Sequence, residues 1–218
     1  MTEPKARAAL VEACRSLNAL GINQGTSGNV SLRHGATMLI SPSATPYDAM
    51  RPQEVAAMPI DGAGAWSGPK RPSTEWRFHL DILRSRPEVG AVVHAHPTFC
   101  TALAIARRGI PACHYMIAAF GAADVRCAPY ATFGTAALSA HALAALDGRN
   151  ACLLANHGMI VCAPSLPRAL WLAVELEALA RQYWHSLLIG GPMLLTPEEV
   201  AQAAEKFAGY GVPHADLI

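Results

Sequence analysis

Apolar side chains recur at Leu10, Cys14 with its neighbour Ala13, Leu17 and Leu20. Steps of three and four predict an amphipathic helix over residues 6–20, with Gly21 as its stop. Asn23-Gln24-Gly25-Thr26-Ser27-Gly28 is turn chemistry throughout. The strand-like runs Asn29 to Arg33 and Met38 to Ser41, joined through His34-Gly35, then predict a hairpin. A polar, Gly- and Pro-rich break covers 61–72, and Ser73-Thr74-Glu75 follows it. There a hydroxyl N-cap is expected to open a helix over 75–85, which Pro87 ends. Strand and helix patterns alternate afterwards: strand 91–96, helix 98–107, strand 124–128, helix 135–146. Strands 151–155 and 159–163 flank Asn156-His157-Gly158, and helices follow over 166–188 and 197–208.

The two hairpins, near Gly35 and Gly158, argue against an all-parallel sheet. A mixed, mainly antiparallel sheet covered by helices is expected. The chain of 218 residues shows no repeat or linker, so a single domain over 1–218 is expected.

Composition narrows the function classes. With 52% hydrophobic and 15% charged residues and a formal net charge of +1, the chain can build a core and has no cationic surplus for a nucleic acid backbone. Its most apolar stretches, 90–106 and 151–163, are broken by His94, His96, Thr98, Asn156 and His157, so no membrane span is expected. Glu3, Lys5, Arg7, Glu12 and Arg15 occupy what would be the apolar core of a secretory signal, which predicts a cytoplasmic protein. The six cysteines form no Cys-x-x-Cys pair and are expected to be buried reduced thiols.

His94-Ala95-His96 lies in a predicted strand, where residues two apart project from one face. His157 stands at a tight break between two strands, where a side chain can be aimed past a sheet end. Three imidazoles suit a catalytic zinc that keeps a further position for water, carboxylate or substrate, although single histidines also serve as hydrogen-bonded core residues. His79 stands four residues after Glu75 and could share a metal with it; a solvent-facing helical pair is the plainer expectation. Thr26-Ser27-Gly28-Asn29 offers hydroxyls, an amide and close backbone approach, a composition suited to an oxyanion. Ser41-Pro42-Ser43-Ala44 is a second small hydroxyl turn, and Ser73-Thr74 lies at a predicted helix N-terminus, where phosphate is favoured. Each is also an ordinary turn or cap. Glu75, directly after Ser73-Thr74, places a carboxylate beside that anion site.

Four ordered motifs, Gly25-Thr26-Ser27-Gly28-Asn29-Val30-Ser31, Pro72-Ser73-Thr74-Glu75, His94-Ala95-His96-Pro97 and Asn156-His157-Gly158, carry a wider likeness. With them the chain resembles the class II aldolase and adducin superfamily, most of all its fuculose 1-phosphate aldolases. The similarity continues through His114 to Ala119, Tyr130 to Thr135, Glu205-Lys206-Phe207 and Tyr210-Gly211. The resemblance implies a three-layer α/β/α fold and a homotetramer with sites between subunits. It implies zinc, or another divalent metal, on His94, His96, His157 and Glu75, and a small phosphorylated sugar anchored by Asn29, Ser43, Ser73 and Thr74 beside Thr26, Gly28 and Ala44. It further implies cleavage of a ketose 1-phosphate between C3 and C4 into dihydroxyacetone phosphate and an aldehyde, with Glu75 and Tyr115 moving protons. Ala44 departs from the pattern, since many relatives carry glycine there; either that turn is relaxed or its phosphate contact differs.

The same motifs fit aldolases of 5-deoxyribulose 1-phosphate or 5-methylthioribulose 1-phosphate. Phosphopentulose 4-epimerases and decarboxylases of phosphorylated keto acids share them too. The closing His214-Ala215-Asp216-Leu217-Ile218 lacks the tyrosine-rich tail associated with the epimerases. A non-catalytic, adducin-like interaction domain is disfavoured because Glu75 and all three histidines are present.

Overall fold

A computed structural model describes residues 1–209. Tyr210, Gly211 and the closing residues 214–218 of the sequence analysis lie outside the described residues. The first helix, α1 (Glu3–Ala19), is followed by the hairpin β1 (Asn29–His34) and β2 (Thr37–Ile40). Then come β3 (Ala56–Pro59), α2 (Trp76–Ser85), β4 (Ala91–Ala95), α3 (Thr98–Ile105), β5 (Arg126–Ala128) and α4 (Ala136–Ala145). β6 (Ala151–Leu154), β7 (Gly158–Ala163), α5 (Leu166–Leu188) and α6 (Pro197–Gly209) complete the order.

The seven strands form one sheet in the order β3-β2-β1-β4-β7-β6-β5. Every pairing is antiparallel except β5 with β6, which α4 links as a crossover of the kind parallel neighbours require. The mixed, mainly antiparallel sheet of the sequence is therefore present. Its alternating side chains feed two cores. Val30, Leu32, Val93, Leu153 and Val161 pack with α1, α3 and α5; Met38, Ile40, Val92, Ile160 and Cys162 pack with α2 and α4 on the other face. That is the three-layer α/β/α arrangement. Among the described residues, no helix is long and apolar enough to cross a membrane.

Three elements have no counterpart in the sequence reading, one of them a short 3-10 turn over Pro52–Glu54. Ala56-Ala57-Met58-Pro59 lacks the β-branched and aromatic residues that mark strands, yet it forms the sheet edge, where its proline is tolerated. A 3-10 turn spans Tyr115–Phe120. One expectation is corrected: α2 begins at Trp76, and its N-cap is Glu75 with no side-chain capping bond. The carboxylate is turned away from the helix because other partners claim it. The cysteines are free, with Cys113 and Cys127 half-buried rather than buried.

Candidate metal centre

Antiparallel pairing decides where the site forms. The end of β4 lies beside the start of β1 and the start of β7, with Asn29 opposite His94 and Met159 opposite Ala95. The β6–β7 turn and the N-terminus of α2 close over the same sheet end. His94 is the last but one residue of β4, and His96 lies just beyond the strand. Asn156 takes a left-handed conformation, φ 56°, in the tight turn that presents His157. Gly158 is required by close approach: a Cβ there would come within 2.5 Å of both the Ala95 carbonyl oxygen and the His96 ring. Gly28 is constrained alike, by the Asn23 amide at 2.5 Å and the His94 carbonyl at 2.8 Å.

Ligand atoms of Glu75, His94, His96 and His157 all lie within 4.8 Å of one another. His94 Nε2 is 2.9 Å from His96 Nε2 and 3.2 Å from Glu75 Oε2, and His157 Nε2 is 3.1 Å from Glu75 Oε1. The far nitrogen of His94, Nδ1, sits 2.8 Å from the Met159 carbonyl oxygen. A carbonyl only accepts, so Nδ1 carries the hydrogen and Nε2 is the nitrogen presented to the cluster, as in a metal-ligating histidine. Burial pushes His96 down to about 4, and His94 and His157 add to the shift, so the His96 ring is neutral at pH 7.

Burial alone would push the Glu75 carboxyl up, but the charge of His94 and the contacts from His157 and His94 outweigh it and hold the group well below the usual carboxylate range. Although Oε1 is close to His157, it has no hydrogen-bond partner of acceptable geometry and is buried. A buried carboxylate oxygen without a hydrogen bond, facing imidazole nitrogens, is an arrangement that a cation completes. The donor set therefore fits a divalent metal.

Asn29 Nδ2 donates to Glu75 Oε2 at 3.0 Å. Behind it, Asn29 Oδ1 is 2.5 Å from His79 Nε2, and His79 Nδ1 is 2.8 Å from Ser31 Oγ. His79 is fully buried. The structure thus corrects the expectation of a solvent-facing Glu75/His79 pair: Glu75 precedes the helix, and His79 sits among the buried Phe78, Leu80 and Ile82. It is not within the ligand cluster.

A cavity of about 400 Å³ opens from the cluster. Glu75, His96 and His157 line one end; Thr26, Gly28, Asn29, Ser43, Ala44, Ser73 and Thr74 line the rest. A short antiparallel bridge, Pro42 with Pro72, sets Ser43 and Ser73 side by side, through Ser43 N–H to the Arg71 carbonyl and Ser73 N–H to the Ser41 carbonyl, each 3.0 Å. Ala44 is left-handed at φ 49°, so the turn is not relaxed; the alanine adopts the conformation that glycine takes easily. Phe133, 62% exposed, also lines the cavity. An aromatic residue in a Gly/Pro loop carries no sequence pattern that points to a site, so Phe133 was not among the expected site residues. Tyr115 is elsewhere: 56% exposed, it lines a separate cavity of about 770 Å³ with His114, Trp171, Glu175 and Phe207.

Comparison with known proteins agrees with this geometry. The family model described as Class II Aldolase and Adducin N-terminal domain matches residues 8–184. A 5-methylthioribulose-1-phosphate/5-deoxyribulose-1-phosphate aldolase of Rhodospirillum rubrum is 52% identical over 205 residues, which cover 94% of this chain and 92% of that protein. An L-fuculose phosphate aldolase of Escherichia coli K12 is 48% identical over 204 residues, covering 93% and 94%. Among solved structures, an L-fuculose 1-phosphate aldolase superposes with a TM-score of 0.89 at 37% identity, over 93% of this chain and 95% of that one.

Proposed function

Since the chain belongs to the class II aldolase and adducin family and is an aldehyde-lyase, we propose that it is a zinc-dependent aldolase cleaving a ketose 1-phosphate to dihydroxyacetone phosphate and an aldehyde. The observation that carries this reading is the convergence of Glu75, His94, His96 and His157 at one end of a cavity whose other walls are hydroxyls and turn backbone. We read the whole chain as a single domain of this kind.

The three imidazoles and Glu75 would hold the zinc, which would supply Lewis acidity toward the ketose oxygens beside the bond to be broken. The hydroxyls of Ser43, Ser73 and Thr74, with Asn29 and the backbone around Thr26 and Gly28, anchor the phosphate and fix the register of the sugar. Loss of the C4 hydroxyl proton turns that carbon into the aldehyde as the C3–C4 bond breaks. The electron pair left at C3 takes up a proton through Glu75, which is ionised at rest and must first accept that proton from solvent in the open cavity before delivering it. Glu75 suits this role because one of its oxygens is tethered by Asn29 while the other has no hydrogen bond. Tyr115 is assigned the C4 hydroxyl proton, from a neighbouring subunit of a homotetramer, because its own chain sets it in another cavity.

The aldehyde half is open between two substrate types, since relatives of nearly equal identity are named for each. The apolar Phe133 at the cavity suits the deoxy or methylthio end that these ketoses share. Product analysis of the zinc-loaded protein tests the reading, using fuculose 1-phosphate, 5-deoxyribulose 1-phosphate and 5-methylthioribulose 1-phosphate. Dihydroxyacetone phosphate with lactaldehyde, acetaldehyde or methylthioacetaldehyde identifies the substrate. Release of carbon dioxide from a keto acid, or C4 inversion without cleavage, replaces aldolase with a different member of the superfamily.

A further inference from the structure

The hydrogen bonds behind Glu75 have only one polarity that satisfies every atom. The Glu75 carboxylate can only accept, so the Asn29 group 3.0 Å from Oε2 must be its NH₂, and the Asn29 oxygen is then the atom 2.5 Å from His79 Nε2. An amide oxygen also only accepts, so His79 Nε2 carries a hydrogen. Burial, with His94 adding and Glu75 opposing, pushes His79 down to about 3. The ring is neutral at pH 7, its Nδ1 is an acceptor, and the Ser31 hydroxyl 2.8 Å away donates to it. Reversing any link would set two acceptors or two donors against each other in a fully buried site, at the cost of an unmet polar group.

We infer that His79 is a positioning residue: its Nε2–H, required by the Asn29 oxygen and matched by the Ser31 hydroxyl on the other ring nitrogen, holds the Asn29 amide with its NH₂ toward Glu75, and so keeps one carboxylate oxygen tethered and the other free. Asn29 is in direct contact with the site; His79 and Ser31 act only through it. Without His79 the buried Asn29 oxygen loses its donor, and the amide can swing away from Glu75 and release the tethered carboxylate oxygen. Residues behind a metal ligand commonly contribute 10- to 100-fold in affinity or turnover.

This inference rests on Glu75 being the carboxylate of the site, and its test separates the two. His79→Leu should weaken zinc binding, measured by chelator competition, and lower kcat, each about tenfold or more, with a smaller change in KM. His79→Gln places an amide N–H near the lost Nε2–H and should recover both to within about threefold. Nitrogen-15 NMR of histidine-labelled wild type should show His79 protonated on Nε2 alone. A folded His79→Leu protein with wild-type zinc affinity and kcat overturns the inference. So does an Nδ1–H signature for His79 in the wild type, which needs no variant to fold. If the wild type cleaves none of the ketose phosphates, the proposed function fails while zinc affinity and tautomer still judge His79.

Discussion

The two ends of the cavity that opens from Glu75, His96 and His157 are built by different means. At the metal end, Glu75 is 5% exposed and His94 fully buried, and side chains or carbonyls hold them in place: Asn29 on Glu75, the Met159 carbonyl on His94. At the other end, where we place the phosphate, Thr26, Ala44 and Thr74 are exposed, and position comes from backbone, through the Pro42–Pro72 bridge and a left-handed residue. A metal needs a few atoms at fixed separations, which burial enforces. A phosphate ester needs many donors around a larger group, and turns present them without charged side chains. The first end should thus govern whether the bond breaks, and the second how tightly the sugar is held.

The most severe break in this contrast is removal of a ligand. His96→Ala, at the half-exposed imidazole, should eliminate bound zinc and lower cleavage by roughly a thousandfold while far-UV circular dichroism stays unchanged; zinc content and product formation measure it. His94→Ala and His157→Ala should do the same. Full activity in a metal-free variant would end the zinc mechanism.

Next in size is a group belonging to neither end. Tyr115→Phe should reduce kcat about a hundredfold, the lower range for a proton-transfer residue, with zinc content unchanged. Hybrid tetramers of Tyr115→Phe and Glu75→Gln chains, co-expressed with two tags and purified through both, should regain partial activity. Verified hybrids as inactive as either parent would show that Tyr115 does not complete a neighbour's site.

Ser73→Ala sharpens the contrast from the phosphate end. Losing one hydrogen bond to a charged group costs about 2 kcal/mol, so KM for the ketose phosphate should rise about tenfold or more. KM for the unphosphorylated sugar should stay constant, and an equal rise for both would remove Ser73 from the phosphate site.

The smallest effect belongs to Ala44. A left-handed alanine costs about 1–2 kcal/mol, and glycine gives back part of the relief through the entropy of the unfolded chain. Ala44→Gly should then stabilise the protein by about 0.5–1 kcal/mol, a rise of about 2 °C in Tm by calorimetry. A fall in Tm would mean that the turn's left-handed geometry costs this alanine nothing.

How much was legible in the sequence follows the same division. His94 and His96 could be paired because strand alternation is strict, and His157 stood out because a histidine between asparagine and glycine marks a turn. The sheet type followed from two hairpins. The Ser31–His79–Asn29 chain was not legible: its members are separated by 48 and 50 residues, and no local period links β1 to α2. Helical spacing pointed the wrong way there, since Glu75 and His79 are four apart but only His79 is in the helix. Around Ser43 and Ser73 the turn residues could be named, while the Pro42–Pro72 bridge that aligns them joins positions thirty residues apart and outside any strand, which no local pattern reveals. Tyr115 was named only through the likeness to known aldolases, and no residue pattern gave its separate cavity.

The middle position of β4 in the sheet has a thermodynamic consequence. Val92, Val93 and His94 are paired to β1 on one side and to β7 on the other, so their amide hydrogens should reach solvent only when the whole sheet opens. An ion bound at His94 is then linked to global unfolding rather than to fraying at a rim. Its stabilisation, RT ln(1 + [M]/Kd), should appear as slower exchange across the entire slow-exchanging core. A chelator should lower the midpoint of one cooperative transition and leave no independently melting corner behind.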